Sequence, residues 1–229
     1  MSMPMREFAA AKPRPLPVIV LVDTSGSMSV DGKIEALNLA LTNMLRSFRD
    51  ESHLNALIQV SIIAFGGNSA SMALPLTQAN NISDMQDLVA AGATPMGSAM
   101  TMVRELLENI DLIPSRAYKP TLVLVSDGYP NDEWEKPLED LKNSERASKA
   151  VRMAMAIGND ADKDMLKSFI NDPETPVFEA HNAKDISRFF RVVSLSVSTR
   201  SRSTTPNQIN KIDFSETASD DDIDLSDFD

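Results

Sequence analysis

Three short segments place oxygen-bearing side chains where an apolar run stops. Val18-Ile19-Val20-Leu21-Val22 runs into Asp23-Thr24-Ser25-Gly26-Ser27. Leu122-Val123-Leu124-Val125 runs into Ser126-Asp127-Gly128, and Gly92-Ala93-Thr94-Pro95 stands just before an amphipathic stretch. Brought together, Asp23, Ser25, Ser27, Thr94 and Asp127 would offer two carboxylates and three hydroxyls. These are hard oxygen ligands, suited to Mg2+ or Mn2+ and unsuited to Zn2+, which favours His and Cys in closed sites. Magnesium takes oxygens in octahedral array at roughly 2.0–2.1 Å and usually keeps several waters. A few protein oxygens plus waters leave a position open for a ligand.

Four of these five residues also have a purely structural reading. Asp23 and Ser25 suit a turn closed by side-chain to backbone bonds. Ser27 suits a helix cap, and Thr94 suits a cap followed by proline at the first helical position. The metal reading gains its weight from five such positions falling in order at the ends of successive elements.

Those elements are legible from periodicity. Residues 16–23, 56–66, 119–128 and 150–158 are near-continuous aliphatic runs, the pattern of strands buried on both faces. Residues 71–78 form a weaker strand, and Pro75, which cannot donate to a ladder, assigns it to a sheet edge. Residues 175–180 make a short last strand. Residues 33–50 place Ile34, Leu37, Leu41, Met44, Leu45 and Phe48 on one helical face. Further helices are expected near 83–90, 96–110, 137–148, 162–170 and 183–198. Alternating strands and helices predict an α/β fold of three α/β/α layers, doubly wound, on a mainly parallel central sheet with an antiparallel edge strand. Ligand sites in such sheets lie at the carboxyl ends of the strands, which is where the polar segments fall.

Composition bounds the rest. A chain of 229 residues is long enough for one domain with a substantial core. It has no cysteine, which removes disulfides and thiolate metal sites. No apolar stretch approaches the roughly 18–20 residues of a membrane span, and the N-terminus lacks the apolar core of a secretory signal. A cytoplasmic protein is the default expectation. The net charge is −11, of which residues 213–229 carry −8, leaving −3 on residues 1–212. No basic surface for nucleic acid is expected. His53 and His181 match no ligand spacing, Trp134 reads as half-buried packing or a partner anchor, and Met153 and Met155 as core filling. Asp132 and Glu133 read as solvated loop charges.

The ordered set Asp23-x-Ser25-x-Ser27, Thr94 and Asp127 resembles the metal-ion-dependent adhesion site of von Willebrand factor A domains. The resemblance covers about residues 16–195 and includes the apolar lead-in, the following helix, the Gly-x-Thr-Pro loop and the LVLVSDG strand. It implies that Ser25, Ser27 and Thr94 offer hydroxyl oxygens to a divalent ion, that Asp23 and Asp127 bind it directly or through water, and that a partner's Asp or Glu completes the shell. The segments PVIVLVDTSGSMS, DGKIEALN and ATPMGSA look most like short bacterial stand-alone domains of this family associated with tellurium resistance and stress. That likeness implies action alongside a protein kinase and a phosphatase.

The expected domain layout is an arm over 1–15, the domain over 16–198, and a Ser/Thr-rich linker with an acidic tail over 199–229. The segment 194–206 reads as a flexible linker, with phosphorylation as its functional alternative. The acidic tail carries Ile223, Leu225 and Phe228 among its aspartates. It reads as a solubilising or partner-docking segment, and its carboxylates could serve its own or a neighbouring molecule's ion site as a placeholder. The function expected is a non-enzymatic, metal-dependent protein-binding module that binds neither nucleic acid nor membrane. The alternatives are a metal-dependent hydrolase or phosphatase, and a structural subunit of a larger assembly. Against the hydrolase, neither histidine lies in the motif loops and Asp23 lacks the Asp-x-Asp spacing of aspartate-nucleophile phosphatases.

Overall fold

A computed structural model describes residues 13–51, 56–83 and 85–208. Its strands are β1 (Arg14–Asp23), β2 (Ala56–Gly66), β3 (Ser69–Gln78), β4 (Thr121–Ser126), β5 (Val151–Ile157) and β6 (Phe178–Ala180). Its helices are α1 (Lys33–Arg49), α2 (Met96–Glu108), α3 (Glu135–Asn143), α4 (Lys163–Ile170) and α5 (Ala183–Arg202). The strands form one sheet in the order β3-β2-β1-β4-β5-β6. All neighbours are parallel except β2 and β3, so the Pro75 strand is the antiparallel edge the sequence predicts.

β1 lies at the centre because it is apolar on both faces. Leu16, Val18, Val20 and Val22 point into a core layer shared with α1 and α5. Ile19 and Leu21 point into a second layer shared with α2, α3 and α4. Each such side chain, fully buried, contributes roughly 1.5–3 kcal/mol. Met153 and Met155 are buried core residues, as expected. Pro15 and Pro17 are tolerated in this central strand because β4 pairs with β1 only from Val18 onward. On that side the Pro15 carbonyl instead accepts from the Tyr118 N–H at 2.8 Å.

Two expectations need correction. Residues 85–90 form no helix. The Asn38 side chain takes both backbone groups of Leu88, accepting from its N–H at 2.9 Å and donating to its carbonyl at 3.0 Å. The backbone N–H and carbonyl of Leu88 are thus paired with α1 and not with a helix of their own. The second correction concerns 194–206, expected as a flexible linker. α5 continues through Arg202. Its serines bond their own helix: Ser194 Oγ donates to the Phe190 carbonyl and Ser201 Oγ to the Ser198 carbonyl, both at 2.8 Å. The acidic tail, the N-terminal arm up to residue 12 and His53 lie outside the described residues.

The end of α5 is anchored by Arg200. Its buried guanidinium donates to the Thr121 Oγ1 at 2.7 Å, to the Pro206 carbonyl at 3.0 Å and to the Lys119 carbonyl. Burial lowers its pKa to about 10, which leaves it charged at neutral pH. Arg200→Ala is expected to destabilise the fold by about 2–3 kcal/mol in urea unfolding, because three acceptors lose a charged donor. A loss below about 0.5 kcal/mol, the range of an ordinary surface change, would show that the anchor contributes little.

Candidate functional site

The sheet changes winding direction at β1. From there the chain goes first to β2 on one side and later to β4 on the other. In such sheets the carboxyl ends at the switch form a crevice. β1 and β4 pair in register through Val22 and Val125, so Asp23 and the Ser126-Asp127 pair emerge side by side.

Four of the five predicted residues form a connected chain of hydrogen bonds. The Ser25 N–H donates to Asp23 Oδ1 at 2.8 Å. Ser25 Oγ and Ser27 Oγ are 3.0 Å apart, and Ser27 Oγ donates to Asp127 Oδ1 at 2.7 Å. The carboxylates are buried and Ser27 is exposed, so the cluster opens to solvent at its serine end. Thr94, also buried, joins through its loop. The Gly26 N–H donates to the Gly92 carbonyl at 2.9 Å, and the Ala91 N–H to the Thr24 carbonyl at 2.8 Å. Gly92 has φ +69°, and a Cβ there would sit 2.5 Å from the Gly67 Cα. A side chain at this position would drive the two loops apart.

Four further residues build the site in roles that the sequence did not assign them. Ser126 Oγ donates to Asp23 Oδ2 at 2.6 Å. Lys33 Nζ lies 2.8 Å from Asp127 Oδ2. Asn131 Oδ1 accepts from the Thr94 N–H at 3.0 Å, and its own N–H donates to the Thr94 carbonyl at 3.2 Å. Asp132, expected as a solvated charge, instead accepts from the Gly97 and Ser98 N–H groups at 2.9 Å each. It caps α2, a role the sequence reading offered to Thr94, and its negative charge suits the positive end of the helix. All four act across 34 to 103 residues of sequence, so no local pattern announces them; the segment Ser126-Asp127-Gly128 was the nearest signal.

Trp134 is partly buried against the second core layer, which fits packing. The exposed apolar groups at this edge are Tyr129, Val30 and Val89, at 66%, 53% and 79% exposure. Each follows or precedes one of the three site segments by a few residues. His181 is exposed after β6, three strands from β1.

Burial pushes the Asp23 carboxyl above its ordinary pKa, and the charge of Asp127 adds to the rise, while hydrogen bonds from Ser126 and Ser25 oppose it. A buried carboxylate with a second carboxylate beside it favours a positive charge between them. Among the described residues no group of three or more His, Cys, Asp or Glu side chains could hold a metal ion. Any ion here would depend on hydroxyl oxygens as well as the two carboxylates. The donor set is all oxygen and partly open, which fits a hard divalent cation.

A family model, the von Willebrand factor type A domain, matches residues 18–192. In sequence the chain is 30% identical over 145 residues to the magnesium-chelatase 60 kDa subunit of Rhodobacter capsulatus. That match takes in 62% of this chain and 24% of the relative, so the chain spans about a quarter of that protein. Among solved structures it superposes on the pilus adhesin SpaC of Lactobacillus rhamnosus GG with TM-score 0.67 at 16% identity, over 83% of this chain and 31% of that one. Proximal thread matrix protein 1 of the mussel byssus, solved with a zinc-occupied adhesion-site motif, gives TM-score 0.63 at 19% identity, over 80% and 48%. Identities this low speak to the fold alone. Among the described residues no helix is long and apolar enough to cross a membrane.

The raised proton affinity of Asp23 has a signed consequence. The folded state holds this proton more tightly than the unfolded one, so Asp23's contribution to stability is present at low pH and is lost as pH rises through the window above the unfolded carboxylate value. In chelator, stability to urea is expected to lose this contribution as pH rises above the ordinary aspartate value of about 3.9, and Asp23→Asn to flatten the profile. An identical profile in Asp23→Asn would contradict the assignment.

Proposed function

The chain belongs to the von Willebrand factor type A family, and from that premise we propose that it is a non-enzymatic protein-binding module. In this reading Asp23, Ser25, Ser27, Thr94 and Asp127 hold one Mg2+ or Mn2+ ion. When bound, the ion supplies a Lewis-acidic position for an Asp or Glu carboxylate of a partner protein. The observation that carries the proposal is the hydrogen-bonded run Asp23–Ser25–Ser27–Asp127, which joins two buried carboxylates to an exposed serine at the winding switch.

The residues around this run support binding over turnover. Two carboxylates at most neutralise a divalent ion, and the hydroxyls add dipoles without charge, so affinity for a further anion is retained. Ser126 donates its hydroxyl to Asp23 at 2.6 Å, and among the described residues no histidine stands beside that pair, since His181 follows β6, three strands from β1. Hydrolysis would need an activated nucleophile with a base beside it. Tyr129, Val30 and Val89 give the rim apolar area that a partner can bury, with the tyrosine the strongest anchor by type.

The setting is part of the proposal. A cytoplasmic, bacterial stress or tellurium-resistance system with a kinase or phosphatase as partner rests on the likeness of the motif segments. The similarity to one subunit of a magnesium chelatase favours a second reading, a subunit of a larger assembly in which the ion holds the loops. The acidic tail remains a candidate placeholder for the partner's carboxylate. Asn207 sits at the opposite end of the sheet, its Oδ1 accepting from the Lys119 N–H ahead of β4. The length of β1 is roughly 33 Å, about ten extended residues. Ten residues on from Asn207 is residue 217, so of the carboxylates in a molecule's own tail only those from Asp220 onward have the chain length to reach its site.

A pull-down from cell extract in Mg2+ tests these readings together. The binding-module reading predicts a partner retained by wild type, lost in EDTA and lost in Asp23→Ala. A partner retained in both favours the assembly reading. Truncation of 213–229 should raise partner recovery if the tail is a placeholder, and unchanged recovery would remove that role. Phosphoester turnover by wild type and not by Asp23→Ala would overturn the non-enzymatic reading.

A further inference from the structure

We propose that Lys33 is a tethered competitor for the cation, an ammonium that must give up Asp127 for the site to take a divalent ion. The inference rests on the ion-site reading above and goes further, because it names the residue that limits the site's affinity.

Lys33 is the first residue of α1, reached through Asp31 and Gly32, both in the left-handed region at φ 58° and 69°. Its Nζ lies 2.8 Å from Asp127 Oδ2. The Lys33 side chain is 21% exposed and that of Asp127 is 0% exposed. The other Asp127 oxygen accepts from Ser27 Oγ at 2.7 Å. One buried carboxylate therefore serves two masters, a hydroxyl of the proposed ion site and a fixed positive charge.

The chemistry of the pair makes the ammonium a competitor. A carboxylate removed from water needs a positive partner, and Lys33 meets that need without any ion. An ion drawn to Asp127 meets a positive charge already in contact with it, and two cations at such distances repel strongly where water is scarce. Lysine is suited to yield. Its charge is compact, its stem is four flexible carbons, and its partly exposed head can turn to water without moving α1. With Lys33 Nζ 2.8 Å from its Oδ2, Asp127 is already neutralised before an ion arrives.

Isothermal titration calorimetry of the full chain with MgCl2 tests this, using wild type, Lys33→Met, Lys33→Gln, Lys33→Arg and Ser25→Ala. Lys33→Met keeps the apolar stem and removes the charge. It is expected to tighten Mg2+ binding on the order of tenfold, the scale of one charge-assisted contact. Lys33→Arg keeps the charge in a fork that grips a carboxylate at least as firmly, so it should bind Mg2+ no more tightly than wild type. Lys33→Gln, equally neutral, must repeat the gain of Lys33→Met, and thermal unfolding in EDTA checks that each variant is folded. Equal or weaker binding by both neutral variants, with wild-type binding abolished by Ser25→Ala, overturns this inference alone; weaker binding would make Lys33 a positioning residue for Asp127. Binding indifferent to Ser25→Ala overturns the ion-site reading and this inference with it.

Discussion

Two carboxylates buried at the end of a parallel sheet set the terms for everything around them. Asp23 and Asp127 lie near enough that one charge raises the proton affinity of the other. Neither can be left in an apolar core without compensation. The molecule compensates with hydroxyls from Ser25, Ser27 and Ser126, a backbone N–H and one ammonium. The one full positive charge in that arrangement is the Lys33 ammonium on Asp127, and the hydroxyls contribute dipoles alone.

The fold exists to hold those groups in one place. β1 and β4 are neighbours in register, so two strand ends 104 residues apart in sequence deliver Asp23 and Asp127 to the same edge. The loop carrying Thr94 is laced to the first by backbone bonds through Gly26, Gly92 and Ala91. It is pinned from the other side by Asn131 and, at the head of α2, by Asp132. Two aliphatic layers hold the strands rigid behind the site.

Much of this was legible in the sequence, for reasons that can be stated. Strands buried on both faces must be continuous aliphatic runs, so β1, β2, β4 and β5 read directly from composition. The placement of Pro75 on an edge followed from one missing N–H. The five oxygen donors were visible because each sits at the end of such a run or in a loop before a helix. What stayed hidden depends on contacts between distant segments. Lys33 looked like an ordinary first-turn lysine, and Asp132 like a loop charge, until β1, β4 and α2 came together. Where a helix was expected at 83–90, Asn38, on another element, holds the backbone N–H and carbonyl of Leu88. The linker reading of 194–206 failed because serine composition suggests solvent exposure, while in α5 the hydroxyls turn back onto helix carbonyls and Arg200 secures the end.

The central claim is that one divalent ion sits among these five side chains. Crystals grown with MnCl2 and measured at the manganese edge test it most directly. The account predicts a single strong anomalous peak bounded by the side chains of Ser25, Ser27, Thr94, Asp23 and Asp127. A map without a peak there at saturating Mn2+, or with its peak elsewhere on the molecule, would contradict it.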